Sequence, residues 1–144
     1  MIVLALDPGE TTGWCRVDTT GSIEGGSFPL WEDVQRYILT PFALVGGRGG
    51  PDLLIVERFM LYPAMVSRLN WSKLRVVEVI GVVKYIAEQW GGQLLMQNAS
   101  VAKSVELAKK PEGFDKHACD ALRHALAFLK REGLLTEELR GYIK

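Results

Sequence analysis

Asp7, Glu57, His117 and Asp120 are the residues of this chain whose types and settings could do chemistry together. Asp7 ends the apolar run Ile2-Val3-Leu4-Ala5-Leu6 and is followed by Pro8-Gly9, and Glu57 ends Leu53-Leu54-Ile55-Val56. An acid at the end of a buried strand is costly unless a cation or strong donors meet it. His117 and Asp120 stand at i and i+3 in a segment that reads as helix, so they share a face. Carboxylates are hard oxygen ligands, the kind Mg²⁺ prefers while it keeps several waters. Two such ions roughly 4 Å apart can activate an attacking water and stabilise a leaving oxygen, which is metal-assisted phosphodiester chemistry. In that arrangement Asp7 is the natural bridge between the ions. His117 would ligate one of them or handle a proton, and its softer imidazole would let Mn²⁺ substitute. Taken singly, each residue has an ordinary reading as a turn acid, a strand-end acid turned outward or the polar edge of an amphipathic helix. The four together are far more specific.

The elements that must position these residues follow from the apolar pattern. Met1 to Leu6, Gly13 to Asp18 and Ser22 to Phe28 read as strands joined by short turns, which implies an antiparallel meander. Trp31 to Leu44 has helical spacing disturbed by Pro41, and Gly46 to Pro51 is a glycine-rich loop. Asp52 to Glu57 is apolar throughout and reads as a central parallel strand. Arg58 to Asn70 lacks periodicity and reads as a mobile loop. Trp71 to Trp90 is a long helix stopped by Gly91-Gly92. Gln93 to Gln97 is a fifth strand, and Ser100 to Lys109 a short helix with Ser100 as its cap. Asp115 caps a helix to about Arg131, and Leu134 to Ile143 forms a last short one. This order predicts an α/β domain with a mixed sheet of three antiparallel strands followed by two parallel ones, flanked by helices. Ligands in such sheets gather at the carboxyl ends of strands, where Asp7 and Glu57 both sit. If the first and fourth strands are parallel neighbours, the two carboxylates lie side by side. Small Ala118 and Ala121 would let the His/Asp helix approach the sheet closely.

At 144 residues the chain suits one domain, spanning 1–144, and not two. It has no run long enough to span a membrane and no signal-peptide start. Its two cysteines, Cys15 and Cys119, offer neither a disulfide framework nor zinc spacing, so a reducing cytoplasm is the expected home. Formal net charge is zero, which argues mildly against a nucleic-acid binder, but distribution matters more than the total. From Arg58 to Lys84 the basic residues are Arg58, Arg68, Lys73, Arg75 and Lys84, against Glu78 as the only acid. Lys103, Lys109, Lys110 and Lys116 form a second group. The long helix carries Leu74, Val76, Val77, Val79, Ile80, Val82, Val83 and Ile86 around more than one face. It is either a core helix or one whose second side meets a partner across a two-fold axis. His124 stands one turn beyond Asp120, where facing the site, packing and contacting a phosphate all remain open.

Three segments carry a family resemblance. VLALDPGETTG, Val3 to Gly13, resembles the opening of the RuvC family of Holliday junction resolvases. LLIVERFM, Leu53 to Met60, resembles that family's second motif, and HACDALRHA, His117 to Ala125, its last; DALRHAL is similar to small phage-type members. Order and approximate spacing match over nearly the whole chain. The resemblance implies an RNase H-like fold and a metal-dependent endonuclease that cuts four-way DNA junctions as a homodimer. It implies that metal-polarised water attacks phosphorus in line and leaves a 5′-phosphate. It also implies Asp7, Glu57, His117 and Asp120 as metal ligands and Lys103 near the scissile phosphate. Phe59 or Tyr62 would correspond to the aromatic that probes the junction centre. Arg58, Arg68, Lys73 and Arg75 would hold phosphates, with salt-dependent binding.

Three rivals remain at this level. One is a nuclease of the same fold acting on RNA or replication flaps, and another is a junction-binding protein without activity. The third is an actin-like ATPase, since Asp7 to Gly13 also resembles a phosphate-binding loop. That last class needs two such domains, and this chain has room for one.

Overall fold

Alternation explains the sheet. In the first strand, β1 (Ile2–Asp7), Val3 and Ala5 join one apolar cluster while Leu4 and Leu6 join another on the opposite face. In β4 (Leu53–Glu57) the same parity sends Leu53 and Ile55 one way and Leu54 and Val56 the other. A strand apolar on both faces must be covered on both, and these two lie at the centre of the sheet. The computed structural model describes residues 1–29, 31–39, 50–60 and 71–144, with the backbone alone at 31, 37–39, 71–75 and 90.

Five strands form one mixed sheet in the order β3-β2-β1-β4-β5, with β2 at Thr12–Asp18, β3 at Ile23–Phe28 and β5 at Gln93–Gln97. β2 pairs antiparallel with β1 and β3, and β4 pairs parallel with β1 and β5. The expected meander followed by parallel strands is therefore present. The helices are α1 (Trp31–Asp33), which runs into a π-helical stretch at Val34–Leu39, then α2 (Trp71–Trp90), α3 (Ala99–Lys103), α4 (Lys116–Arg131) and α5 (Glu137–Arg140). α2 covers the face bearing Leu4, Leu6, Leu54 and Val56, through Val76, Val79, Ile80, Val83 and Ala87. α4 covers the other face with Ala118, Ala121, Leu122, Ala125, Leu126 and Leu129, none of them exposed.

α4 begins where its sequence says it should. Asp115 adopts extended backbone, and its Oδ1 accepts the Ala118 N–H at 2.8 Å. Ser27 on β3 donates its hydroxyl to the other Asp115 oxygen, tying the cap to the sheet. The approach to the sheet is very close. A Cβ added at Gly13 in β2 would stand 2.1 Å from the His117 carbonyl oxygen, so only glycine fits there.

Several strand ends shift by a residue from the sequence reading, and some helices differ more. α3 starts at Ala99 after Asn98, so Ser100 is its second residue and not its cap. It also ends at Lys103, because Val105 turns inward and Leu107 pairs with Ile143. Ala108 and Lys144 donate backbone N–H groups to the Tyr142 and Glu106 carbonyls, holding both segments extended. That pairing also shortens the last helix to Glu137–Arg140. The helix read from Trp31 takes a π-helical form after Asp33, and residues 40–44 of that reading lie outside the described residues, as does most of the glycine-rich loop.

Candidate metal and nucleic-acid site

The parity that buries Val3 and Ala5 under α4 carries Asp7 to the same face, and Ile55 does the same for Glu57. The two acids stand one residue beyond the Leu6–Val56 pair of the parallel β1–β4 ladder, and so they are neighbours. α4 supplies the rest. His117, Asp120 and His124 recur at i, i+3 and i+7, which is one stripe of a helix, and that stripe meets the strand ends.

Each acid has a cationic or donating side chain beside it. His117 Nδ1 lies 3.9 Å from Asp7 Oδ2. His124 Nε2 lies 2.8 Å from Glu57 Oε2. Arg123 pairs with Asp120 through its Nη1. Asp7 is the most deeply set, with 17 % of its side chain exposed against 26 % for Glu57 and 28 % for Asp120. Burial pushes the Asp7 carboxyl up to about 6 from the ordinary 3.8, and the negative charges of Glu57 and Asp120 add to the rise. His124 and His117 oppose it and do not cancel it. At Asp7, beyond the effect of burial, the like charges of Glu57 and Asp120 outweigh the two histidines.

That surplus, and the donor types, fit a hard divalent cation. Among the described residues no three His, Cys, Asp or Glu side chains stand close enough to close a cage by themselves. An open, oxygen-rich set is what Mg²⁺ takes, since it retains several waters and binds through one or two carboxylates. Asp7, Glu57, His117 and Asp120 are the residues that would hold it.

Beside the acids runs an open cleft of about 420 Å³ lined by Glu57, Arg58, Phe59, Ser100 and Lys103, among others. Lys103 also borders a hollow of about 280 Å³ shared with Asp120 and Arg123, so its exposed amine stands between the two sides of the site. Arg58 is exposed. Phe59 is half-buried and packs against the cluster beneath α2 while lining the cleft. Lys73 and Arg75 lie on the first turns of α2. Tyr62 and Arg68 lie outside the described residues.

Three members of the site had weaker signals. His124 was ambiguous because a histidine among Leu122, Ala125 and Leu126 reads equally well as packing. Gln97 was not anticipated, although it ends β5 opposite Glu57 on a strand whose parity was readable. Its Oε1 lies 2.7 Å from His124 Nδ1. Arg123 was not anticipated either, although it stands at i+3 from Asp120 on the same helix.

No family model and no curated protein matches the chain. Solved structures do. Thermus thermophilus RuvC in complex with a Holliday junction substrate superimposes with a TM-score of 0.62 at 20 % identity, covering 93 % of this chain and 97 % of that one. A second Thermus thermophilus RuvC structure gives 0.56 at 20 % identity over 93 % and 98 %. The fowlpox virus Holliday junction resolvase gives 0.52 at 15 % identity over 92 % and 99 %. The expected five-stranded sheet, its strand order and its flanking helices thus recur in those proteins over nearly their whole length, and this chain has the RNase H-like fold of the RuvC-type resolvases that its three motifs resemble.

Proposed function

We propose that this protein is a metal-dependent, structure-selective DNA endonuclease that resolves four-way junctions as a homodimer, with residues 1–144 as one nuclease domain. The observation that carries the reading is the convergence on Asp7. Residues more than a hundred positions apart place Glu57, His117 and Asp120 around one largely buried carboxylate, whose pKa is raised first by burial and then by the negative charges of Glu57 and Asp120. A surplus of this kind is tolerated where a cation offsets it. A fold neighbour bound to a Holliday junction supports branched DNA as the substrate class.

Asp7, Glu57, His117 and Asp120 would hold the metal, with Asp7 at their centre. Bound Mg²⁺, or Mn²⁺ in its place, would supply Lewis-acid charge to phosphoryl oxygens and lower the pKa of water. Lys103 brings its amine to the scissile phosphate from the cleft wall. Arg58, Arg68, Lys73 and Arg75 hold flanking phosphates, with affinity that falls as salt rises. Phe59 or Tyr62 meets the junction centre; Phe59 lines the cleft and packs beneath α2. Hydrolysis would form a bond from the water oxygen to phosphorus, break the P–O3′ bond, pass a proton of that water to the departing oxygen and leave a 5′-phosphate.

The outer face of α2 supports the dimer. Val77 and Tyr85 are 49 % and 63 % exposed, and Gly81 between them has open space where a side chain would stand. Positions 77, 81 and 85 form one i, i+4 stripe, apolar and flat enough for a second copy to approach. Among the described residues no helix is long and apolar enough to cross a membrane, and a DNA-cutting enzyme of this kind would work in the cytoplasm.

The test is nicking of a synthetic four-way junction with Mg²⁺ or Mn²⁺, alongside flap and RNA–DNA hybrid substrates. Wild type should cut the junction preferentially, and Asp7→Asn should bind it without cutting. Equal cutting by both would sink the mechanism. Preference for hybrid or flap would move the substrate class, and binding without any divalent-dependent cutting would leave a junction-binding protein. Light scattering at micromolar concentration should give a dimer.

A further inference from the structure

His124 is fully buried on a helix face otherwise filled by alanine and leucine, a costly place for an imidazole without partners. Both ring nitrogens have one. Nε2 meets Glu57 Oε2 at 2.8 Å, and Nδ1 meets Gln97 Oε1 at 2.7 Å. Glu57 and Gln97 end adjacent parallel strands at paired positions, so the imidazole spans two strand ends from the helix above. The Gln97 carbonyl also accepts the Arg58 N–H, which fixes the end of β5 against the residue that follows Glu57.

The proton arrangement follows from counting donors. An ionised Glu57 has no hydrogen to give, so His124 Nε2 must donate to it. Nδ1 then either donates to Gln97 Oε1 or accepts from the Gln97 amide turned end for end. As placed, the Gln97 Nε2 is buried and has no hydrogen-bond partner. Turning the amide gives that N–H group an acceptor and leaves a carbonyl unpaired instead, the more easily tolerated orphan. Both arrangements aim the same N–H at the same carboxylate oxygen.

We propose that His124, braced by Gln97, is a positioning residue that commits Glu57 Oε2 and so presents Oε1 to a metal ion. The proposal rests on Glu57 being a ligand, as argued above. Acid and imidazole come from elements far apart in sequence, and their contact locks a carboxylate that would otherwise rotate about its last bond. Supporting contacts of this kind typically change metal affinity about tenfold to a hundredfold.

Calorimetric titration of the full-length protein with Mn²⁺, paired with the unfolding temperature of the metal-free form, tests it. His124→Leu should weaken Mn²⁺ binding about tenfold or more without lowering the metal-free unfolding temperature, since it removes a buried polar ring. His124→Gln, whose amide nitrogen reaches close to the Nε2 position, should recover most of the affinity. Gln97→Leu should fall between wild type and His124→Leu. Equal weakening in His124→Leu and His124→Gln would overturn the proposal, because ring shape and not the donated hydrogen bond would then matter. Should His124→Leu fold poorly, Gln97→Leu decides alone, and unchanged affinity there overturns the brace. Glu57→Gln separates the two levels. If it loses Mn²⁺ binding while the His124 variants keep theirs, Glu57 is a ligand that His124 does not position. If it binds as wild type does, the ligand assignment fails, and the positioning role with it.

Discussion

The helices on the two faces of the sheet differ in how they use their surfaces. α4 buries Ala118, Cys119, Ala121, Leu122, His124, Ala125, Leu126 and Leu129, is capped by Asp115 and lies against glycine at Gly13. Its polar stripe points at two strand-end carboxylates. Among its described side chains, α2 buries Val76, Val79, Ile80, Val83 and Ala87, and leaves Val77 and Tyr85 in the open. The apolar residues around α2 therefore do not make it a fully enclosed helix in the single chain. One face is anchored tightly enough to hold charged groups against each other. The other leaves apolar surface exposed. Under the proposed function, chemistry that needs fixed geometry belongs on the first, and pairing of two copies on a two-fold substrate belongs on the second.

The comparison breaks most severely at Asp7. Asp7→Asn should lower junction nicking by about a thousandfold or more, as expected when one member of a unit that acts together is lost, measured by single-turnover cleavage. The same substitution should stabilise the metal-free protein. The folded-state pKa of Asp7 is raised, so the folded state holds its proton more tightly than the unfolded one. Stability of the metal-free wild type should then fall as pH rises from about 4 to about 6 and level off above that. The loss corresponds to up to about 3 kcal/mol, at 1.36 kcal/mol per pKa unit. Urea unfolding across that range should show the slope in wild type and a flatter profile in Asp7→Asn. Added Mg²⁺ should reduce the wild-type loss.

Gly13→Ala attacks the anchoring of α4 without touching a ligand. The added methyl would meet the His117 carbonyl at 2.1 Å, where the neighbour is backbone and cannot rotate away. The expected loss is about 3 kcal/mol by chemical denaturation, together with weakened Mn²⁺ binding as His117 moves from Asp7. A smaller effect is expected at the cap. Asp115→Ala should cost about 1 kcal/mol, read from the unfolding midpoint at neutral pH. The Ala118 N–H and then the Ser27 hydroxyl hold the Asp115 carboxyl below its usual range. Its contribution should therefore be present at neutral pH and fade as pH falls through the acidic range. Least of all in stability, Tyr85→Glu on the outer face of α2 should change the unfolding free energy by no more than about 0.5 kcal/mol while converting a dimer to monomers in light scattering. An unchanged dimer would place the interface elsewhere.

Much of this was legible in the chain itself. Strand ends carrying Asp7 and Glu57, the i, i+3 spacing of His117 and Asp120, the Asp115 cap and the full span of α2 all rest on local signals of period, cap and stop. These reach only a few residues, and they sufficed for the elements and their order. What they could not supply is any pairing between distant segments. Residues 104–109 continue a helical pattern, yet Leu107 and Ala108 are drawn into extended pairing with 142–143. Gln97 reads as the polar end of a strand until β5 is set beside β4.

The sequence by itself determined which residues could bear the chemistry and on which element each sits, because residue type and hydrophobic period are properties of short stretches. Tertiary structure decided what those residues do to one another. Asp7 acquires its raised pKa only when β1, β4 and α4 converge. Glu57 meets a fully buried histidine, and Asp120 an arginine, through contacts that local pattern does not encode. Charge interaction and desolvation depend on distance in space, and only the folded chain sets that distance.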